Sequence, residues 1–569
     1  MSSALDTQAA ACRAGSEVVG PIPRPGEFAP WARPWRATLG LVAIVTLLRI
    51  VYLVWFCPYT LVEDEAHYWE WSRRLDLSYY SKGPGIAWTI AASVRTFGDI
   101  EWAVRLPAAL ASGVACLAVA GLARDASRDG RVGFLAACCF LLAPMFQILG
   151  LVMTIDGPYA ACWALACWAA WRALARGDAW AWPALGLAVG AGVLYKYTML
   201  LALPGFLAFG LLWRRDLRLG PRHGLAMVAS LACFALAVTP IIVWNQREGW
   251  PTARHLLGHL GVRGGDMPVV QGAGGWTYRP KWTLSFLGSQ IGLMGPIIVL
   301  VAIEAGRAWL CRAGDRETWR AKSFLLLCGA PMIAFYLLVS LVAEPEGNWT
   351  LAGWITPMGL AGWRVVEGMT TWRQRVAAWR ALPVPRPWRG VYRRRPETWS
   401  QASWFIAVFI GVAMGLGLLR LDLLARLPVV GRLVPLGRFT DADVMVASAA
   451  RLADELRAET GLEPFHILTF YGRASQFAFY LPGHPVVYCS TSLMGSRRTQ
   501  YDYWADTDLR RNESLLRGRP AVAVGGRDAP WAVPFERVEP VGTLPGDRKR
   551  DRPAVKAYGY RGFPGLSGE

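Results

Sequence analysis

Charge is scarce in this 569-residue sequence. Asp, Glu, Lys and Arg make up 18% of it, where a soluble chain carries about a quarter. Hydrophobic residues reach 54% and mean hydropathy is +0.28, which excludes an ordinary multidomain soluble protein. No GxxxxGK[ST] loop occurs anywhere, so P-loop nucleotide hydrolysis is excluded as well. There is no CxxC and no Cys/His ligand array. The 11 cysteines lie almost entirely in or beside apolar blocks, where they read as small hydrophobes. The first 30 residues lack the apolar core of a signal peptide, and residues 1–36 read as a disordered cytoplasmic tail. No internal repeat of the kind that marks secondary transporters is visible.

What is present is a series of apolar blocks of roughly 16 to 21 residues, the range of bilayer-spanning helices. They predict spans at 37–57, 102–123, 132–149, 157–174, 181–196, 198–213, 224–244, 285–305, 323–342, 351–365 and 402–420. The net charge of +19 comes mainly from arginine. Its distribution points to topology rather than to nucleic acid. Alternate loops such as "RDASRDGR", "RRDLRLGPRH" and the stretch 366–401 are basic, while "GLVMTID" and "AEPEGNWT" carry neither Lys nor Arg. A cytoplasmic N-terminus satisfies this alternation, and an odd number of spans then puts the C-terminus outside. The 29 tryptophans suit helix ends at the lipid–water boundary. The domain plan is a membrane region over 37–420 with outside loops 58–101 and 245–284, an outside domain over 421–535, and an extended tail over 536–569.

The outside loops hold the chemistry. "LVEDEAHYWEW" contains the spelling of a helicase box, but it follows a membrane span and has no phosphate loop upstream. Asp64 and Glu65 are adjacent carboxylates that repel each other unless a cation compensates. At a membrane rim they are candidates for general base or electrostatic work. Asp156, at the start of another span on the same face, joins them as a catalytic candidate. "SYYSKGPG" surrounds Lys82 with Tyr80, hydroxyls and glycine amides, which makes an anion site without a Walker loop. Lys196 in "LYKYT" and Arg105 are further candidates for neutralising a leaving phosphate. His67, Glu346 and Asn348 are candidate supporting residues. His255 and His259 stand four apart, as metal ligands on one helix face do, yet an ordinary helix face explains them too. Loop 261–276 is glycine-rich and reads equally as a closing lid or as plain disorder.

"DEAHYWEWSRRLDLSYYSKGPG", "EWAVRLPAAL", "MTIDGP", "LYKYT", "EGNWT" and "FAFYLPGHPVVYCSTSLMGSRRTQYDYW" together cover most of the chain from 37 to 505. They resemble the multi-spanning GT-C transferases that use polyprenyl-phosphate sugars. The likeness is to the bacterial branch with the lipid A aminoarabinose transferase and protein mannosyltransferase-like enzymes. The resemblance implies a GT-C fold and an inverting sugar transfer from undecaprenyl phosphate to a lipid, glycan or protein acceptor at the periplasmic face of the bacterial inner membrane. It matches Asp64 to a catalytic aspartate, Asp156 to a second functional aspartate and Lys82 to a donor-phosphate lysine. Aminoarabinose transferases carry a glutamate before that lysine, whereas this chain has Ser81, which argues against copying their sugar. No cofactor is required by the pattern, and a divalent cation stays open. A lipid-linked-sugar flippase is the competing reading.

The tail domain reads as α/β. "DADVMVASAARLADELRAETG" predicts an amphipathic helix, and "PFHILTFYG", "HPVVYC" and "AVAVGG" predict buried strands. It has no GxGxxG loop, so a nucleotide site is not expected there.

Overall fold

The computed structural model describes residues 33–217, 219–259, 265–266, 278–310, 315–380, 396–428, 431, 434, 436–526, 529–545 and 553–563. These fall into two compact units. One comprises Met1–Tyr52, Ala108–Val238 and Gly275–Leu419, and the other Leu53–Pro107, Thr239–Gly274 and Arg420–Glu569.

The first unit is helical. Five helices are individually long and apolar enough to cross a membrane: Pro34–Trp55, Glu101–Ser127, Pro221–Glu248, Arg316–Val339 and Gln401–Leu419. Shorter apolar helices accompany them at Gly130–Leu142, Ala181–Tyr195 and Tyr197–Leu212. On Pro221–Glu248 the leucines Leu225, Leu231 and Leu236 are at least 68% exposed. Such a surface suits contact with lipid. Close packing between helices relies on small residues, as it does in lipid generally. A Cβ on Gly186 would sit 2.0 Å from the Ser230 carbonyl oxygen, and one on Gly190 would sit 2.6 Å from the Ala237 methyl.

Several predicted spans are interrupted. The span expected at 285–305 is a bent pair, Pro280–Met294 and Ile297–Trp309, at 104° to each other. Gly295 takes a positive φ of +58°, and Pro296 follows it as the N-cap of the second helix. The two residues stop one helix and start the next, which an average of apolarity cannot register. The span at 132–149 ends at Leu142 and resumes as the short helix Pro144–Ile148. The 323–342 span is divided by Gly329, which packs so closely that a Cβ there would lie 2.1 Å from the Gly353 carbonyl oxygen. The 351–365 span begins as a tight 3-10 turn over Gly347–Trp354 before the helix Pro357–Arg380.

The second unit gathers the two long loops and the C-terminal region, the three segments that charge patterning put on a single membrane face. Its helices are α1 (Glu63–Arg73), α2 (Gly85–Phe97), α3 (Pro251–His259), α4 (Ala442–Thr460) and α5 (Tyr471–Tyr480). Its sheet contains β1 (Phe465–Leu468), β2 (Tyr488–Cys489), β3 (Ala521–Val524), β4 (Phe535–Gly542) and β5 (Ala554–Tyr560) in the order β2-β1-β3-β5-β4. β1 runs parallel to β2 and β3, whereas β3/β5 and β5/β4 are antiparallel. Phe465, Ile467, Tyr488, Phe535 and Tyr560 build its core.

The expected helix and three strands of the tail domain are all present. The extended tail predicted over 536–569 is corrected: it supplies β4 and β5, and the domain extends at least to Phe563. β4 is an edge strand, largely exposed and interrupted by a register shift at Pro540/Gly542. An exposed edge strand has little apolar alternation to read. Residues 1–32 of the predicted N-terminal tail, and loop 261–276 apart from 265–266, lie outside the described residues.

Gly186→Leu is expected to overpack the contact with Ser230 and cost about 1–3 kcal/mol. A lowered midpoint of thermal denaturation in detergent would report it, whereas Gly210→Leu, at a position with open space, should leave the midpoint unchanged.

Candidate functional site

The first outside loop is organised by one buried ion pair. Arg105 donates from Nε to Glu65 Oε1 at 2.9 Å and from Nη2 to Glu65 Oε2 at 2.6 Å. Its remaining reach goes to the carbonyls of Tyr59 and Thr60, both at 2.8 Å. Glu65 Oε2 also accepts from the Val62 backbone N–H at 3.1 Å, closing the start of α1. Glu65 is 0% exposed and Arg105 2%. Arg105 is the cation that the adjacent carboxylates require, and the pair is fully engaged with the architecture of the loop. Neither side chain reaches a bound sugar or phosphate without giving up a buried ion pair.

Consecutive helical residues point about 100° apart, so burying Glu65 turns Asp64 outward. Asp64 is exposed at the first turn of α1. Beside it, Glu63 pairs with Arg473 of α5 at 3.2 Å.

His67 is locked. Trp71 donates from Nε1 to His67 Nε2 at 3.1 Å, so the ring proton sits on Nδ1, which lies 3.1 Å from Ser475 Oγ. Ser475 in turn meets the Tyr501 hydroxyl at 2.8 Å. Burial, reinforced by the charge of Arg497, pushes the His67 pKa down to about 3. His67 is therefore neutral at physiological pH and serves as a hydrogen-bonded joint between the loop and the tail domain.

Lys82 is half-buried at the end of a tight turn in which the Tyr79 N–H donates to the Lys82 carbonyl at 3.1 Å. The Tyr80 N–H donates to Gln500 Oε1 at 2.7 Å. Immediately after the turn, α2 begins behind Pro84 with no side-chain cap. Its first backbone N–H groups and the lysine form the donor set that phosphate oxygens favour. The Tyr80 ring is buried against His255 and Tyr503, with centroids 5.0 and 5.5 Å apart.

His255 lies between an acid and a guanidinium. Its Nδ1 lies 3.2 Å from Asp266 Oδ2, and Arg497 Nη1 stands 3.4 Å from each ring nitrogen. A guanidinium at that distance opposes a second cation. The His259 side chain lies outside the described residues. Among the described residues, no group of three or more His, Cys, Asp and Glu side chains has metal-binding geometry.

In the membrane unit, Asp156 opens the helix Asp156–Trp171 and is 6% exposed. Lys196 Nζ donates to its Oδ1 at 2.9 Å and Asn348 Nδ2 to its Oδ2 at 3.2 Å. The ammonium also lies 5.6 Å from the centroid of Tyr159. Three residues named from separate motifs thus meet in one cluster, and Lys196 has a committed carboxylate. Glu346 is exposed and takes no part in it. Sequence reasoning missed Arg473, Tyr471 and Arg497, whose position beside the first loop appears only once the tail domain has folded.

The fold and these loops define a multi-pass α-helical membrane protein of GT-C architecture with a small C-terminal sheet domain. It has the fold of ArnT from Cupriavidus metallidurans: the apo structure aligns with a TM-score of 0.58 at 16% identity, covering 92% of this chain and 98% of that one. The same protein bound to undecaprenyl phosphate aligns at 0.55 and 18% identity, covering 94% and 99%. The family model for dolichyl-phosphate-mannose-protein mannosyltransferase matches residues 81–244. In sequence the chain is 29% identical over 331 residues to a lipid A galacturonosyltransferase, RgtD, of Rhizobium johnstonii, covering 57% of this chain and 65% of that protein. It is 26% identical over 273 residues to an undecaprenyl phosphate-alpha-4-amino-4-deoxy-L-arabinose arabinosyl transferase of Pseudomonas savastanoi, covering 46% and 48%. Both alignments span less than two thirds of the relative's length.

Two outcomes follow from this geometry. Arg105→Met should cost about 3–5 kcal/mol by stranding buried Glu65, and adding Glu65→Leu should restore part of that loss; chemical denaturation of the purified protein measures both. Because His67 stays neutral when folded but takes up a proton when unfolded, stability is full above about pH 6.5. It should fall as pH drops from there toward 3, by up to about 1.4 kcal/mol per pH unit from this residue. Comparing thermal midpoints across that window in wild type and His67→Gln should show a shallower decline in the variant.

Proposed function

We propose that this protein is an inverting glycosyltransferase that moves a sugar from an undecaprenyl-phosphate carrier to a lipid A-type acceptor on the periplasmic side of the bacterial inner membrane. The observation that carries this reading is the first loop itself. It holds an outward carboxylate, Asp64, on a helix anchored by a buried ion pair, and it sets Lys82 directly before an uncapped helix start. The relatives support the same chemistry, since RgtD and the arabinosyl transferase are both named as transferases and the second as acting from undecaprenyl phosphate. Nothing among these observations favours a flippase.

In the proposed reaction, an acceptor hydroxyl oxygen attacks the anomeric carbon as the bond from that carbon to the carrier phosphate oxygen breaks. The hydroxyl proton passes to the Asp64 carboxylate. The bonding electron pair leaves with the phosphate, whose added charge meets the Lys82 ammonium and the first N–H groups of α2. Preplaced positive charge of this kind is often the largest electrostatic contribution to such a step. In the membrane unit, we assign Asp156 and Asn348 the task of holding Lys196 in one position, with its remaining N–H donors available to a lipid phosphate. The basic loops would lie in the cytoplasm, and the second unit, with the C-terminus, in the periplasm.

Membranes carrying wild type or Asp64→Asn, from a strain lacking this protein, would be supplied with lipid-linked sugars and profiled by mass spectrometry. Wild type should consume one donor and glycosylate one acceptor. Asp64→Asn should insert normally and lose about 10²–10⁴-fold in rate. An Asp64→Asn rate equal to wild type would remove Asp64 from the reaction.

A further inference from the structure

The tail domain brings a guanidinium into the first loop. Arg497 lies in the segment after β2, with its Nη1 at 3.4 Å from each ring nitrogen of His255 and its guanidinium carbon 5.9 Å from the Tyr471 ring centroid. His255 is 2% exposed, and Tyr80, whose ring is tilted against it, is 4% exposed. The Tyr80 hydroxyl is buried and has no hydrogen-bond partner among the described residues. A buried phenol commonly has a partner, so this orphan hydroxyl is a donor awaiting an acceptor. Asp266, whose Oδ2 lies 3.2 Å from His255 Nδ1, also feels the charge of Arg497. Arg498 and Arg254 add positive field around Tyr503, and the charge of Asp64 reaches Tyr471. A guanidinium and a phenol thus meet at the His255 ring.

We propose that Arg497, with His255 and Tyr80, forms an anion subsite that the tail domain contributes to donor recognition. It takes either the carboxylate of a uronosyl group or the phosphate of the lipid carrier. A planar guanidinium pairs with either group through two parallel N–H donors, which a lysine cannot reproduce. This rests on the glycosyl-transfer reading and adds a substrate class to it.

The test uses the full-length protein in nanodiscs with two synthetic donors, a polyprenyl-phosphate uronic acid and the matching neutral hexose. Arg497→Gln is expected to raise KM for donor about 10-fold or more, the scale of one charge-assisted hydrogen bond, with a smaller change in kcat. Arg497→Lys should recover only part of the loss. A KM increase confined to the uronosyl donor assigns the subsite to the sugar carboxylate. An equal increase on both donors, with equally weakened binding of free undecaprenyl phosphate, assigns it to the carrier phosphate. Unchanged KM on both donors overturns the proposal, as does a loss of kcat and thermal stability at constant KM, which marks a structural arginine. If wild type transfers sugar from neither donor, the glycosyl-transfer reading fails separately. The subsite is then judged by native mass spectrometry with undecaprenyl phosphate and with the uronosyl donor. Arg497-dependent retention of either supports it, and equal retention by wild type and Arg497→Gln overturns it.

Discussion

The bidentate pair between Glu65 and Arg105 is the constraint on which the first loop depends. Burying two full charges is costly, and it is tolerated here because each charge has a partner and Arg105 also closes on two backbone carbonyls. The loop entry at Tyr59 and Thr60, the start of α1 and the first turns of the helix Glu101–Ser127 are thereby fixed to one point. Once that point is set, the rotation of α1 is no longer free. Glu65 faces inward, and its neighbour Asp64 faces outward.

The same rotation explains the aromatic and histidine positions of α1. His67 and Trp71 are one turn apart and share a face, where they meet Ser475 and Tyr501. Trp71 stacks on Tyr79 with centroids 4.4 Å apart, carrying the order into the turn that ends at Lys82. Arg74 reaches Glu70 and Asp506, at 2.7 and 2.5 Å. The loop therefore has no independent fold. It is one layer of a unit whose other layers arrive hundreds of residues later, and the tail domain is accordingly part of the loop's architecture.

Chemically, the result is a separation of roles among residues that look alike in one dimension. Of three consecutive acids, Glu63 pairs with Arg473, Glu65 with Arg105, and Asp64 is presented to solvent. Among the cations, Arg105 is bound to Glu65 and Lys196 to Asp156, whereas Lys82 is half-buried before α2 and Arg497 stands beside His255. Burial separates them, since a charge paired in a low-dielectric setting has little left to offer a ligand.

The sequence by itself determined the membrane character, the presence of several apolar helices and the α/β nature of the tail. Those properties follow from local composition and periodicity, which survive in one dimension. It also singled out Asp156, Lys196 and Asn348, because charged or amide groups at span ends are conspicuous in an apolar background. Tertiary structure alone decided that Glu65 is inward while Asp64 is outward, and that His67 is a joint instead of an acid–base group. It also decided that Phe535–Gly542 and Ala554–Tyr560 complete a sheet and that Arg497 and Tyr80 both meet His255. Each of these depends on a partner distant along the chain, over 400 residues away for Ser475 and His67. The free energy that sorts an exposed carboxylate from a buried one resides in that partner, and local pattern carries no record of it.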